Sequence, residues 1–280
     1  MKCVYLLMHQ KKPNAPAIIE RVRECMEAAG MTLVAEPWVG DLFDEDHPIP
    51  TAPTPEGCEA VVAVGGDGTV LRANQMAVKW GLPLLGINVG RVGFLTETEM
   101  ADLPMVCDLL RRDAYTLEER HMLTVTCGAE RFIALNDVAV HRGAYARLMT
   151  VNAWVNQDAI GRYIGDGIVI STPTGSTGYS LSAGGPIVCP RVGCILLTPI
   201  CAHSLQHRPI VTAYSDVIRV CLEGDLEGSV SIDGIHTLKL SEGQELVITG
   251  SESRARLIRF DTCNYFARLR TKLSEWSGQG

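Results

Sequence analysis

Gly65-Gly66-Asp67-Gly68-Thr69 follows a short apolar run, Ala60 to Val64, and precedes an amphipathic stretch from Thr69 to Lys79. The run reads as a buried parallel strand and the stretch after it as a helix. The glycines then sit at the carboxyl end of a strand, where open α/β sheets place their ligands. Gly65 and Gly66 can take backbone angles closed to other residues and let a ligand approach the main chain. Successive free N–H groups there, with the positive end of the following helix, make an anion-binding concavity. Asp67 is at odds with such a cradle. Its charge opposes phosphate unless a metal neutralises it or a hydroxyl donates to it, and that conflict points to chemistry. The alternative is a tight turn in which Asp and Gly serve geometry alone. The pattern is neither the Walker loop, since no Gly-Lys-Ser/Thr follows, nor the dinucleotide fingerprint.

Working outward, Cys3 to Met8 reads as an opening strand. From Pro16 to Ala29 the residues Ile18, Val22, Cys25, Met26 and Ala29 have helical spacing, with Gly30 as a natural cap. Thr32 to Ala35 is a further strand. Asp41 to Gly57 is acidic and proline-rich and reads as a connecting loop. Pro83 to Ile87 is a strand opening into Asn88-Val89-Gly90-Arg91-Val92-Gly93-Phe94, and Ala101 to Arg112 is a helix. This alternation predicts a parallel α/β domain. From Tyr115 to Phe260 the segments turn short and β-like, punctuated by turn residues, as in an antiparallel sandwich or barrel. The exception is a helical turn over Thr177 to Ala183. Near the end, Tyr265, Phe266, Leu269 and Leu273 again have helical spacing.

A chain of 280 residues accommodates two domains. Its 46% hydrophobic and 20% charged content is that of an ordinary globular protein. The net charge of −7 provides no global field for nucleic acid or an anionic membrane, so a phosphate-bearing ligand must be held by local groups. Ten cysteines are scattered without a Cys-x-x-Cys pair, and Cys189 and Cys194 lack the neighbours of a zinc site. They read as reduced residues packed like small apolar side chains. The run Cys3 to Met8 is too short for a signal peptide or a membrane span. The expected location is the cytoplasm, with no metal site among the side chains.

Four other stretches concentrate glycine and small polar residues in apolar surroundings. They are Asn88 to Glu97; Asn136-Asp137, read as ending a strand, with His141, Arg142 and Gly143 beyond; Asp166 to Pro186; and Thr198 to Val211 with His203 and Arg208. The long hydroxyl-rich and glycine-rich run adds little to a core. Its expected use is hydrogen bonding to a polyhydroxylated or phosphorylated ligand.

Together and in this order, Gly65-Gly66-Asp67-Gly68-Thr69, Gly86-Ile87-Asn88 with Gly93-Phe94-Leu95-Thr96-Glu97, Asn136-Asp137, and Thr172-Pro173-Thr174-Gly175-Ser176-Thr177 with Tyr179 resemble the bacterial NAD kinases. The first motif alone is shared with lipid kinases, whereas the Thr-Pro-Thr-Gly-Ser-Thr block is specific. The resemblance implies transfer of the γ-phosphoryl of ATP to the 2′-hydroxyl of the adenosine ribose of NAD, giving NADP, with a divalent metal (Mg2+). It implies a Rossmann-like α/β domain over 1–113, with 260–280 returning to pack on it. A β-sandwich-like NAD-binding domain would cover 114–259, with the active site between the two. Asp67 matches the proton acceptor. Gly65, Gly66, Gly68 and Thr69 would shape the phosphate site, and Arg72 would meet the dinucleotide phosphates. Asn136 and Asp137 would bind ribose hydroxyls. Asp166, Arg147 and the segment Thr177, Gly178, Tyr179, Ser180, Leu181, Ser182 would line the rest of the NAD site. A homodimer or homotetramer is implied by analogy.

The chain departs from the family at Ile164, where a basic residue is frequent, at Gly178, usually Ala, and at Ala202, commonly Pro. Ile164 would either weaken a phosphate contact or shift it to Arg162. His203 and His207 lack the acidic partner of a His-Glu-x-x-His metal site, and Ser182 lacks the first glycine of a nucleophile elbow. Asp233-Gly234 reads either as a hairpin turn or as part of the NAD pocket. The rivals are a lipid kinase, disfavoured by the lack of a basic amphipathic segment, and a non-catalytic NAD(P) sensor, which gains nothing from the charge of Asp67.

Overall fold

The apolar runs of the first hundred residues become the parallel strands β1 (Cys3–Met8), β2 (Thr32–Ala35), β3 (Ala60–Gly65) and β4 (Leu84–Asn88). A two-residue β5 (Thr98–Glu99) and β6 (Thr116–Arg120) follow. Helices α1 (Ala15–Ala28), α2 (Pro37–Gly40), α3 (Asp67–Trp80) and α4 (Leu103–Arg111) alternate with them. The computed structural model describes residues 1–43, 48–90, 93–96, 98–143, 147–204, 206–224, 227–260 and 265–277. Two units emerge, Met1–Glu119 with Arg256–Gly280, and Arg120–Ala255.

α1 turns Ile19, Val22 and Met26 into the core of the first unit, against Val4, Leu6 and Met8 of β1 and Val62 and Val64 of β3. Gly30, at φ 73°, ends it as the sequence suggests. The proline-rich connector is more than a loop, however. Ala35 pairs with Thr51, Tyr5 Oη donates to the Ala52 carbonyl at 2.6 Å, and Ile49 is buried. Alternating prolines hide a segment that docks on the sheet by isolated bonds.

The second unit contains β7 (Leu123–Cys127), β8 (Glu130–Ala134), β9 (Asp137–His141), β10 (Met149–Val155), β11 (Asp158–Gly165) and β12 (Gly167–Ser171). A 3-10 turn (Gly175–Thr177) and the short α5 (Tyr179–Ser182) lead to β13 (Cys194–Ile200), β14 (Ile210–Ala213), β15 (Val217–Glu223), β16 (Gly228–Ile232), β17 (His236–Leu240) and β18 (Glu245–Gly250). They form two sheets, in orders β11-β10-β15-β18-β7-β8 and β14-β13-β12-β9-β16-β17. Val125, Val151, Val220 and Ile248 of one sheet share a core with Val138, Val140, Ile168 and Ile195 of the other. The open alternative of sandwich or barrel is thereby resolved as a sandwich.

β19 (Ala255–Arg259) and α6 (Tyr265–Ser277) belong to the first unit. Its sheet runs β2-β1-β3-β4-β19-β6, with β5 beside β4. The chain steps from β1 outward to β2 and then back to β3 on the other side of β1. That reversal is a topological switch point, where sheets of this kind bind ligands at their carboxyl ends. Gly65 lies at that end.

Candidate functional site

The glycine turn closes β3 and opens α3, with Asp67 in the first helical turn and Gly66 as N-cap. Neither Gly65 nor Gly66 has a positive φ, so left-handed backbone is not their purpose here. A Cβ at Gly65 would lie 2.2 Å from Thr69 Oγ1, so close approach is what demands glycine there. Around Gly66 and Gly68 no atom beyond the neighbouring residues and the local helix backbone comes within 4 Å of a Cβ position, which leaves open main chain for a ligand.

Asp67 aims its carboxylate at the loop after β4. Oδ2 accepts from Phe94 N (2.8 Å), and Oδ1 accepts from Leu95 N (3.0 Å) and Thr96 N (3.4 Å). A Cβ at Gly93 would fall 1.9 Å from Asp67 Oδ1, which explains the glycine that opens this Gly-Phe-Leu-Thr stretch. The carbonyls of the same loop are also held. Arg259 donates to Leu95 O (3.2 Å), and Arg268 donates to Phe94 O (3.4 Å) and Thr96 O (3.1 Å). Glu97, Arg91 and Val92 lie outside the described residues.

Arg72 is held in an ion pair. Its guanidinium is 2.9 Å from the largely buried Glu36 carboxylate, a partner 36 positions away that local sequence does not announce. Arg162, the base nearest Ile164 in sequence, is likewise paired. Both arms of its fork go to Glu223, at 2.8 Å each.

In the second unit a cavity of about 480 Å³ is lined by Asn136, Asp137, Asp166, Tyr179 and Asp233, together with His141, Arg142 and Ser231. Asn136-Asp137 opens a strand rather than ending one. From Asp137 the alternation of β9 sends Val138 and Val140 into the core and sets Asp137, Ala139 and His141 on the cavity wall. That period of two was the available signal for His141. Arg142 bonds Asp166 at 2.7 Å, making one ion pair in the wall.

Asp233 is at once a turn residue and part of the cavity wall. Asp233 and Gly234 have φ of 51° and 68°, the geometry of a tight hairpin turn. Its carboxylate, meanwhile, accepts from Leu135 N (2.7 Å), Asn136 N (2.7 Å) and Asp137 N (3.1 Å). Burial pushes Asp137 up to about 7, the nearby Asp233 charge adds to this, and the Tyr179 N–H opposes it. Burial also raises Asp233, against those three N–H groups and His236.

The hydroxyl-rich block is mostly scaffold, not ligand surface. Thr172 Oγ1 donates to Leu135 O (2.6 Å), Ser176 Oγ to Pro173 O (2.6 Å) and Thr177 Oγ1 to Thr174 O (3.2 Å). Ser180, fully buried, pairs with Thr198 at 2.8 Å. Gly178 lies near Asn136 and Asp137, Tyr179 and Ser182 are exposed, and Leu181 is half-buried. Arg147 is exposed and does not line the cavity. His207 stacks on Tyr163 with ring centres 4.5 Å apart, and His203 is exposed. No cluster of three His, Cys, Asp or Glu suited to a metal occurs among the described residues. No helix there is long and apolar enough to cross a membrane.

Comparison with known proteins identifies the family. Residues 48–115 match the model of the ATP-NAD kinase N-terminal domain, and residues 135–260 that of the ATP-NAD kinase C-terminal domain. The NAD kinase of Ruminiclostridium cellulolyticum is 34% identical over 98% of this chain and 99% of its own length. That of Moorella thermoacetica is 41% identical over 78% of this chain and 71% of its own. Among solved structures, yeast NADH kinase complexed with NADH superposes with a TM-score of 0.83 at 28% identity, covering 96% of this chain and 86% of that one. The NAD kinase from Archaeoglobus fulgidus in complex with ATP gives 0.76 at 27%, over 98% and 99%. With both of its domains matched and a relative 34% identical along its full length, this chain belongs to the ATP-NAD kinase family.

Proposed function

We propose that the chain carries out its family's reaction with Asp67 as the group that accepts the proton of the ribose 2′-hydroxyl. The observation that carries this assignment is the hydrogen bonding of Asp67. A carboxylate has about four lone-pair sites, and the loop N–H groups use three of them. Oδ2 keeps one for an incoming hydroxyl, with its direction fixed by the Phe94 bond. As the hydroxyl attacks the γ-phosphorus of ATP, its proton passes to Asp67 and ADP leaves.

The first unit is proposed to hold the donor at Gly65, Gly66, Gly68 and Thr69. The second is proposed to hold NAD through Asn136, Asp137, Asp166, Gly178, Tyr179 and Ser182. Mg2+ fits this donor set as an ion carried by the triphosphate and water, with no more than the single carboxylate of the turn beside it. It would offset the charge that builds on the phosphate oxygens. A homo-oligomer is supported by the exposed Phe266 and Leu273 on α6 and Val211 on the edge strand β14. Nine described cysteines that are all free thiols support a cytoplasmic setting.

The test is incubation with ATP, magnesium and NAD, with NADP measured by an NADP-specific dehydrogenase. NADP should accumulate with ATP consumed one for one. A protein that binds NAD but forms no NADP would instead be a sensor.

A further inference from the structure

Lys12 lies four residues beyond the end of β1, and its ammonium donates to Val89 O at 2.9 Å. Val89 is the residue after β4. In the sheet, β3 lies between β1 and β4, each neighbour about 4.8 Å from the next. The Lys12–Val89 bond therefore links the chain after β1 to the chain after β4, the two strands that flank β3 and its last residue, Gly65. A second bond closes the path, Val89 N donating to Gly65 O at 3.2 Å.

Three arginines of the first unit are engaged elsewhere. Arg72 is paired with Glu36, and Arg259 and Arg268 are bonded to the carbonyls of residues 94–96. The ammonium has three N–H donors, of which Val89 takes one. That bond sets the ammonium beside Val89, whose N–H is bonded to Gly65 O, and Gly66 and Gly68 beyond it carry open main chain. We propose that Lys12 is the cation that binds the triphosphate of the nucleotide donor, a point charge supplied by the neighbouring strand instead of the glycine turn itself. This rests on the reaction proposed above.

Steady-state kinetics of Lys12→Ala and Lys12→Arg, varying ATP and NAD separately, test it. The Ala variant should raise KM for ATP by about 10–100-fold, the range of one lost charge-assisted hydrogen bond. KM for NAD and the melting temperature should stay near wild type, and Arg should restore most of the loss. Inorganic tripolyphosphate, competing with ATP, should weaken by the same factor in the Ala variant. Unchanged ATP KM and tripolyphosphate inhibition overturn the proposal. So does an equal rise in both KM values with a lower melting temperature, which confines Lys12 to holding the Val89 turn. If wild type forms no NADP, the reaction fails, and calorimetric titration of ATP into wild type and Lys12→Ala still decides the role of Lys12.

Discussion

Asp67 and Arg268 grip the same short stretch of backbone, Asp67 through the N–H groups of residues 94–96 and Arg268 through the carbonyls of Phe94 and Thr96. The carboxylate is thus steadied by an arginine it does not touch. The hold of α6 on its unit is polar at this point: Arg268 bonds the loop and Lys272 is buried, while Phe266 remains 56% exposed. Helical spacing alone does not make Phe266 a docking residue, because this helix leaves its side chain in solvent.

Arg268→Ala should lower kcat by about 10-fold or more, since hydrogen bonds from a charged group contribute about 1.5–3 kcal/mol, while KM for NAD stays near wild type. Lys at this position should recover part of the rate. Steady-state kinetics check both, and an unchanged kcat would separate the loop from the chemistry.

Asp67→Asn tests more than the base. The amide offers one acceptor oxygen and turns an NH2 toward loop N–H groups, so at least one loop donor loses its partner. Turnover should fall about 10²–10⁴-fold for the lost base. Stability should fall by about 1–3 kcal/mol for the unsatisfied donor. NADP formation and urea unfolding, measured on the same variant, separate the two losses. Wild-type turnover with reduced stability would make Asp67 a loop anchor only.

Asp137 predicts a pH dependence of stability. Its carboxyl, raised to about 7 by burial beside Asp233, keeps its proton in the folded state well above the unfolded value of about 3.9. Between those pH values the native state binds more protons than the unfolded one, so stability falls as pH rises. The contribution is complete below about pH 4 and is lost as pH passes 7; at about 1.4 kcal/mol per pH unit it reaches about 4 kcal/mol. Asp137→Asn removes the titration. Its melting temperature should vary less than that of wild type from pH 5 to 8 in scanning fluorimetry, and equal slopes would count against the assignment.

The cysteines should react in an order set by burial. Cys201 is exposed, whereas burial pushes the Cys58 and Cys107 thiols up to about 12. A thiol reagent at neutral pH should label Cys201 first and reach Cys58 and Cys107 only after unfolding. Peptide mapping of the labelled protein decides it. Excess dithiothreitol should leave the melting temperature unchanged.

Where one local period governs, the sequence was legible. Thr32–Ala35 and Leu123–Cys127 fall where their β-branched and apolar residues put them, and Gly65 to Thr69 marks a strand-to-helix turn on glycine and flanking pattern alone. Side-chain partners were not legible, because they come from distant chain. Nothing near Arg72 announces Glu36, and nothing in Thr172 or Ser180 shows that the hydroxyls turn to Leu135 and Thr198. β11 was also hidden, since its burial follows no clean alternation and its pairing with β10 is interrupted at Ala153 and Trp154.

The Asp233 carboxylate has one further consequence, visible in deuterium exchange. The amide hydrogens of Leu135, Asn136 and Asp137 all end on this one acceptor. None can reach solvent until the Asp-Gly turn lifts away, so the three should exchange as a set with one opening free energy. A dinucleotide bound to Asn136 and Asp137 would slow all three by a common factor, and that factor would read out its affinity without any turnover.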